Sequence, residues 1–230
     1  MGEAPPDRRA IVALLSAAVA GVLATQFANP ETWMALAPGM GRGMRALVAA
    51  RAWQAGVLVA VYVVAPMIVA RATGVRLSAR ELGLGVGDAR RYLGVYALVV
   101  GAALPLVVAL SFTTYFRHVY PLFAPAVAGG RVLAAWLPLL ALMLFCVEFF
   151  YRGFLLAMLR PALGRLALFV MIVPYALTHA DLVEALGAVV VGLLLGTLAL
   201  RSRSIWIGWL IHVSIAFAME TAAIWQAQRH

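Results

Sequence analysis

The chain has 230 residues, of which 65% are hydrophobic and only 12% are charged. A soluble globular domain is about half apolar and a quarter charged, so this composition excludes one. The net charge is +9, and all 18 basic residues are arginine. Most of these arginines lie between apolar stretches, which is typical of membrane proteins that use them to fix orientation and contact lipid headgroups. We therefore expect a lipid bilayer and no nucleic acid as the partner of the basic residues.

Three apolar stretches in the N-terminal half predict three transmembrane helices, since about 20 apolar residues in a helix cross the hydrocarbon core. They are 10–30, 52–70 and 92–116. Proline and glycine interrupt residues 31–51, which we predict to lie at the membrane interface. A polar segment at 71–91 carries five arginines between the second and third helices.

Four further apolar stretches follow, and these contain ionisable residues. They are 132–160, 165–180, 182–200 and 204–225, with a turn predicted at 161–164. The sequence thus predicts an all-α, polytopic membrane helix bundle of about seven transmembrane helices. We divide it into N-terminal helices and connections (1–131) and a core (132–230). Ionisable residues inside a membrane are costly and mark functional sites, so we expect the function to lie in the core.

The distribution of arginine over alternate loops predicts the orientation. One side carries 11 arginines and the other 6, with Arg152 set aside as intramembrane. By the positive-inside rule the first side is cytoplasmic. We expect a multi-pass integral protein of the bacterial cytoplasmic (inner) membrane. With this orientation, the depth of Glu148 and His179 along their helices places them nearer the outer face.

Three helices bring ionisable side chains to one depth. Glu148 and Arg152 are four residues apart and share a helix face, which fits a functional pair and a purely structural ion pair equally well. At about 1.5 Å per residue, Glu148, His179 and His212 fall in one layer of the membrane. A carboxylate can act as a general base, and a histidine can share the proton or donate to an oxyanion.

Three segments of the core resemble the motifs of one family. Residues 147–155, with Glu148 and Arg152, resemble the first motif of the CPBP family, which comprises the type II CAAX prenyl endopeptidases and the bacteriocin-processing (Abi) group of intramembrane proteases. Residues 175–179 are similar to the second motif, an aromatic residue followed by histidine, and 204–212 to the third, which contains His212. The order and spacing of all three carry the resemblance.

The resemblance implies an intramembrane endopeptidase that hydrolyses a peptide bond in a membrane-associated peptide or protein substrate. Glu148 would be the general base and His179 its partner. His212 would donate to the oxyanion, and Arg152 would organise Glu148 electrostatically. For the prenyl endopeptidase branch, the resemblance implies access from the cytosol, in contrast to the outer face indicated by the arginine count.

Two positions depart from the family pattern. Val147 stands where the family has the first glutamate of a pair, and Ala216 stands where it has an asparagine. One interpretation is a variant enzyme in which Asp181, Glu184 or Glu220 supports the site. The other is a catalytically silent membrane scaffold or immunity protein on the same fold.

Two further alternatives concern a metal and transport. We expect no cofactor and no metal, because the candidate ligands come from three separate helices and a His-Glu-x-x-His motif is absent. Zinc held by a glutamate and two histidines stays an alternative. A transporter is the other, since buried acids and histidines also form proton relays, although the sequence shows no inverted repeat.

Overall fold

The computed structural model describes residues 6–40, 43–179 and 181–229. Every regular element in these ranges is a helix, which confirms the predicted all-α class. Six of the helical stretches in the described ranges are long and apolar enough to cross a membrane, and a shorter apolar helix lies at Leu166–Ala176. A multi-pass membrane protein of about seven transmembrane helices is thereby confirmed.

The helices follow the predicted order with shifted ends. The N-terminal half contains α1 (Pro6–Phe27), α2 (Pro30–Leu36), α3 (Met44–Leu58), a π-helical segment (Val59–Val64), α4 (Ala65–Ala72), α5 (Leu93–Ser111) and α6 (Thr114–Val119). The second half contains α7 (Gly130–Glu148), a second π-helical segment (Phe149–Leu155), α8 (Leu156–Leu163), α9 (Leu166–Ala176), α10 (Leu182–Ser202) and α11 (Trp206–Ala227).

Two predicted boundaries were wrong. The second long apolar helix begins at Met44, before the predicted residue 52, and is continuous over Met44–Ala72. Arg51, inside this helix, is accommodated by the carbonyl of Leu122 and by the aromatic faces of Phe123 and Trp136. The turn predicted at 161–164 is also later, since α8 continues to Leu163 and the chain reverses at Gly164, where φ is +54°.

The bundle has two chemically different ends. The Arg-rich end contains residues 6–9, 72–88, 160–165 and 201–205, and the opposite end contains the connections after α1, α5 and α9 and the end of α11. Arg42, counted with the opposite end, lies outside the described residues.

At the Arg-rich end, the 72–88 segment is bonded to the end of α10 and to the connection between α10 and α11. The Ile205 amide donates to the Gly83 carbonyl at 2.9 Å, and the Asp88 amide donates to the Ser202 carbonyl at 2.8 Å. Gly87 has φ +52°, and a Cβ there would overlap the Ser202 carbonyl. Only glycine permits so close an approach of two backbones.

The second π-helical segment forms the centre of the core. All its residues, 149–155, are buried, and Phe150 stacks on Tyr62 with ring centroids 4.8 Å apart. A Cβ at Gly153 would lie 2.8 Å from the Leu82 carbonyl, so the 72–88 segment packs directly on this helix. The first motif therefore lies at the middle of the bundle, where its geometry is fixed from several sides.

Candidate functional site

Glu148 and Arg152 form the buried ion pair that their spacing predicts. Glu148 ends α7, and Arg152 lies in the π-helical segment that follows. Arg152 Nη1 lies 3.2 Å from Glu148 Oε1, and both side chains are fully buried. π-Helical turns occur frequently at functional sites. Because both charges are removed from water, each depends on the other for compensation.

His212 reaches the same carboxylate from a different helix. Its Nδ1 lies 3.0 Å from Glu148 Oε1, and 22% of its side chain is exposed. Two tryptophans fix the position of α11: Trp206 Nε1 donates to the Leu84 carbonyl at 2.8 Å, and Trp209 Nε1 donates to the Ala141 carbonyl at 3.0 Å. The second bond ties α11 to α7 one turn before His212, so the imidazole faces Glu148.

The partners of Glu148 determine which imidazole nitrogen carries a proton. An ionised carboxylate only accepts hydrogen bonds, so Nδ1 of His212 donates to Oε1. In a neutral ring Nε2 is then left with its lone pair. Glu148 Oε2 has no hydrogen-bond partner among the described residues. It faces Gly208, where an added Cβ would lie 3.1 Å away.

Tyr175 connects Arg152 to His179. The guanidinium carbon of Arg152 lies 4.0 Å from the centroid of the Tyr175 ring, a cation–π arrangement that is strengthened by desolvation. The same ring meets Tyr151 and His179 edge-on, with centroids 5.1 Å and 5.2 Å away. Tyr175 is therefore part of the site around Glu148 and Arg152, where its ring makes one cation–π contact and two aromatic contacts.

His179 lies beyond the end of α9 and contacts the site through Tyr175. Its Nδ1 is 3.1 Å from the Tyr175 carbonyl oxygen. No hydrogen bond or ion pair joins His179 to Glu148 within the part of the chain that the structure describes. The imidazole that contacts Glu148 is therefore that of His212. His179 is connected to Glu148 only through Tyr175 and Arg152.

Asp181 and Glu184, expected as supporting groups, belong to the start of α10. Asp181 Oδ1 accepts from the Glu184 amide at 2.9 Å, and Oδ2 accepts from the Tyr115 hydroxyl at 2.9 Å. These bonds, the Glu184 amide first, lower the pKa of Asp181. The hydrogen bond to Asp181 raises the pKa of Tyr115 to about 12. The structure thus places Asp181 as a helix cap at the opposite end of the bundle.

Glu220, the third expected supporting group, is held elsewhere. It is fully buried, with Oε1 accepting from the Leu122 amide and Oε2 from Trp136 Nε1, each at 2.7 Å. It lies eight residues after His212, which is about 12 Å along a helix. Oε1 is thus bonded to the connection before α7, and Oε2 is bonded to α7 itself. Glu220 therefore links these elements to α11.

The two departures from the family pattern are packing positions. Val147 packs, half-buried, against the large core cluster that contains the second π-helical segment. Ala216 packs against the cluster that contains Trp136 and Ile224. Neither position supplies a polar group to the site. Over the described ranges, no group of three or more His, Cys, Asp or Glu side chains is arranged to hold a metal ion.

Tyr175 and Gly208 were not among the residues predicted for the site. Each lies four residues before a motif histidine, Tyr175 before His179 and Gly208 before His212. Residues four apart share a helix face, so this spacing was a usable signal. The half-buried position of His179 past the helix end and the close approach at Gly208 depend on tertiary packing.

The fold and the site define the class of protein. It is a multi-pass helical membrane protein with a carboxylate, an imidazole and a guanidinium in contact inside its bundle. A family model described as "Type II CAAX prenyl endopeptidase Rce1-like" matches residues 129–218. This segment contains all four residues predicted to carry the chemistry, and the match confirms the resemblance of the core to the CPBP family. No curated protein and no solved structure matches the chain.

Proposed function

We propose that the protein is an intramembrane endopeptidase that hydrolyses a peptide bond in a membrane-associated protein substrate. Glu148 and His212 would activate the attacking water together. The observation that carries this proposal is the 3.0 Å contact between His212 Nδ1 and Glu148 Oε1, inside a segment that matches a protease family.

In this mechanism the imidazole of His212 accepts and donates the proton, and Glu148 orients the imidazole. Nε2 takes a proton from water as the water oxygen attacks the substrate carbonyl carbon, and later gives that proton to the leaving amine. The carboxylate accepts the hydrogen bond from Nδ1–H and stabilises the imidazolium between the two steps. The 22% exposure of the His212 side chain against full burial of Glu148 supports this division. It differs from the sequence-based hypothesis, in which Glu148 was the direct base and His212 the oxyanion donor.

Arg152 and His179 would act beside this pair. Arg152, 3.2 Å from Glu148 Oε1, supplies the positive charge that compensates the buried carboxylate. The Tyr175 carbonyl only accepts, so the facing Nδ1 of His179 carries a proton. We keep His179 as a second proton-handling group at the edge of the site. The absence of a metal and a cofactor also stays a prediction.

The first test compares new protein N-termini in membranes of cells that produce wild type or Glu148→Gln. This readout detects a cut in any membrane protein, whichever of them is the substrate. We expect at least one membrane-associated protein to be cut by wild type and to stay intact with the variant. A peptide spanning that cut, fixed to a lipid anchor, then serves as substrate for purified protein in vesicles.

Two variants of His212 separate chemistry from structure. In His212→Asn the amide N–H can still donate to Glu148, so we expect near-wild-type thermal stability with cleavage reduced by a factor of about 100 or more. His212→Ala loses both the donor and the activity. His118→Ala, a histidine of α6 outside the site, is the matched control and keeps full activity. Unchanged cleavage by Glu148→Gln and His212→Asn would instead support the scaffold alternative.

A further inference from the structure

A basic cavity opens at the Arg-rich end of the bundle. Its volume is about 280 Å³, and it lies between the 80–83 segment, α8 and the 203–205 connection. Arg80, Arg160 and Arg203 are on its exposed rim, and Arg152 also lines it. Arg160 follows Arg152 by eight residues of helix, so the cavity reaches about 12 Å inward from its rim.

The charge of this cavity is strongly unbalanced. Four of its lining residues are arginines, and Glu81 is the one acid among the described lining residues. Glu81 Oε2 already accepts from the Ser78 amide at 2.8 Å and the Ser78 hydroxyl at 2.7 Å. Arg203 is paired with Asp88 at 2.8 Å. In the described ranges, Arg80 and Arg160 have no ion pair.

Arg152 lines the inner end of the cavity, but its guanidinium is fully buried beside Glu148, so the rim arginines supply the accessible donors. Arg152 is only 3% exposed, and none of its three side-chain nitrogens has a hydrogen bond to the described residues. Its nearest charge is Glu148, at 3.2 Å. Leu156 and Leu200 supply apolar wall beside the arginines. The cavity thus combines donors for an anion with a surface for a short hydrocarbon.

We propose that this cavity binds the phosphate of an anionic phospholipid from the leaflet at the Arg-rich end. Guanidinium groups match phosphate oxygens in geometry and charge, and basic pockets between transmembrane helices bind anionic headgroups. The rim lies where the membrane helices end, at headgroup level, and the apolar wall suits the glycerol and the first acyl carbons. This binding is independent of the proposed peptidase activity.

The test uses the full chain in neutral detergent micelles, titrated with phosphatidylglycerol and followed by native mass spectrometry. We expect one phosphatidylglycerol to bind in preference to phosphatidylcholine. Arg80→Gln/Arg160→Gln removes two rim charges and should weaken this binding by a factor of about 30. The control Arg165→Gln/Arg201→Gln removes the same charge at the same end, outside the cavity, and should change it less than about threefold.

Three results would overturn the proposal. One is equal weakening by the two double variants, which would mean diffuse electrostatic attraction. Another is equally tight binding of phosphatidylcholine. The third is displacement of the lipid by an equal concentration of inorganic phosphate, which would identify a soluble anion as the ligand. If the double variant does not fold, Arg160→Gln alone gives the same test with an expected loss of about fivefold.

Discussion

His212 and Glu148 are 64 positions apart in the chain, and their side chains meet at 3.0 Å. The contact joins α11 to the end of α7. Arg152 Nη1 lies 3.2 Å from the same oxygen, Glu148 Oε1. One buried oxygen is therefore shared by an imidazole and a guanidinium, while the other oxygen has no partner among the described residues. This asymmetry makes the site sensitive to small changes around the carboxylate.

Removal of Arg152 should destabilise the protein strongly. In Arg152→Met the carboxylate of Glu148 stays buried without its cationic partner, and breaking a buried ion pair in this way costs about 3–5 kcal/mol. The double variant Glu148→Gln/Arg152→Met removes both charges and should recover most of that loss. Denaturant unfolding in micelles measures both, with Arg165→Met as an exposed control. A double variant as unstable as Arg152→Met would show that the packing of Arg152, and not its charge, is what matters.

The sequence was sufficient to predict the parts of the site that depend on helical spacing. The Glu148–Arg152 pair follows from a separation of four residues, and the layer shared with His212 follows from the rise per residue. The choice between His179 and His212 as the partner of Glu148 could not be made this way. It depends on the rotation of α11, which the Trp209 bond to the Ala141 carbonyl fixes.

Other errors arose because local patterns ignore tertiary partners. Arg51 suggested a membrane boundary, but in the folded protein aromatic rings and a carbonyl surround it within a continuous helix. Glu220 suggested a second acid for the site, since it shares α11 with His212. Its partners, Leu122 and Trp136, come from a connection and a helix about 100 and 80 residues earlier in the chain. Such pairings have no local signature.

Gly208→Ala should disturb activity more than stability. The added Cβ would lie 3.1 Å from Glu148 Oε2 and 3.7 Å from the Leu195 Cβ, so the carboxylate must move by a few tenths of an ångström. The better helix propensity of alanine and the tighter packing oppose each other, each worth about 1 kcal/mol. We therefore expect a small change in thermal midpoint and cleavage reduced by about tenfold or more, since catalytic geometry tolerates little displacement.

The matched control for this substitution is Gly187→Ala. Gly187 also lies inside a membrane helix, α10, and an added Cβ there meets nothing within 4 Å. This variant should keep wild-type cleavage. Equal cleavage by both variants would mean that the position of Glu148 Oε2 is unimportant for the reaction.

Glu220→Gln should affect stability and leave the chemistry intact. Glutamine has one acceptor oxygen where the protein needs two, so either the Leu122 amide or Trp136 Nε1 loses its partner. A buried donor left unsatisfied costs about 1–3 kcal/mol. We expect a lower thermal midpoint and faster hydrogen exchange over 120–128, with Glu31→Gln as an exposed control. A loss of cleavage at temperatures where the variant is fully folded would instead restore Glu220 as a supporting group of the site.

The cap of α10 should weaken in acid. The pKa of Asp181 is lowered from its ordinary value of 3.8 by the bond from the Glu184 amide and then by Tyr115. A carboxyl group with a lowered pKa in the folded state stabilises that state fully above its unfolded value, and the contribution is lost as the pH falls through the folded value. Protection of the Glu184 amide from hydrogen exchange should therefore hold above about pH 4 and decline below pH 3.8.

Two comparisons isolate this effect. Asparagine caps helices as well as aspartate does but does not titrate, so Asp181→Asn should keep the Glu184 amide protected through the same acid range. Within the wild-type protein, the Thr32 amide donates to Asn29 Oδ1 at 2.7 Å at the start of α2, and its protection should show no such decline. Tyr115→Phe removes the second bond to Asp181, so the folded pKa lies closer to 3.8 and the loss of protection in acid should be smaller. An identical pH profile for the Glu184 and Thr32 amides would mean that ionisation of Asp181 does not hold the helix start.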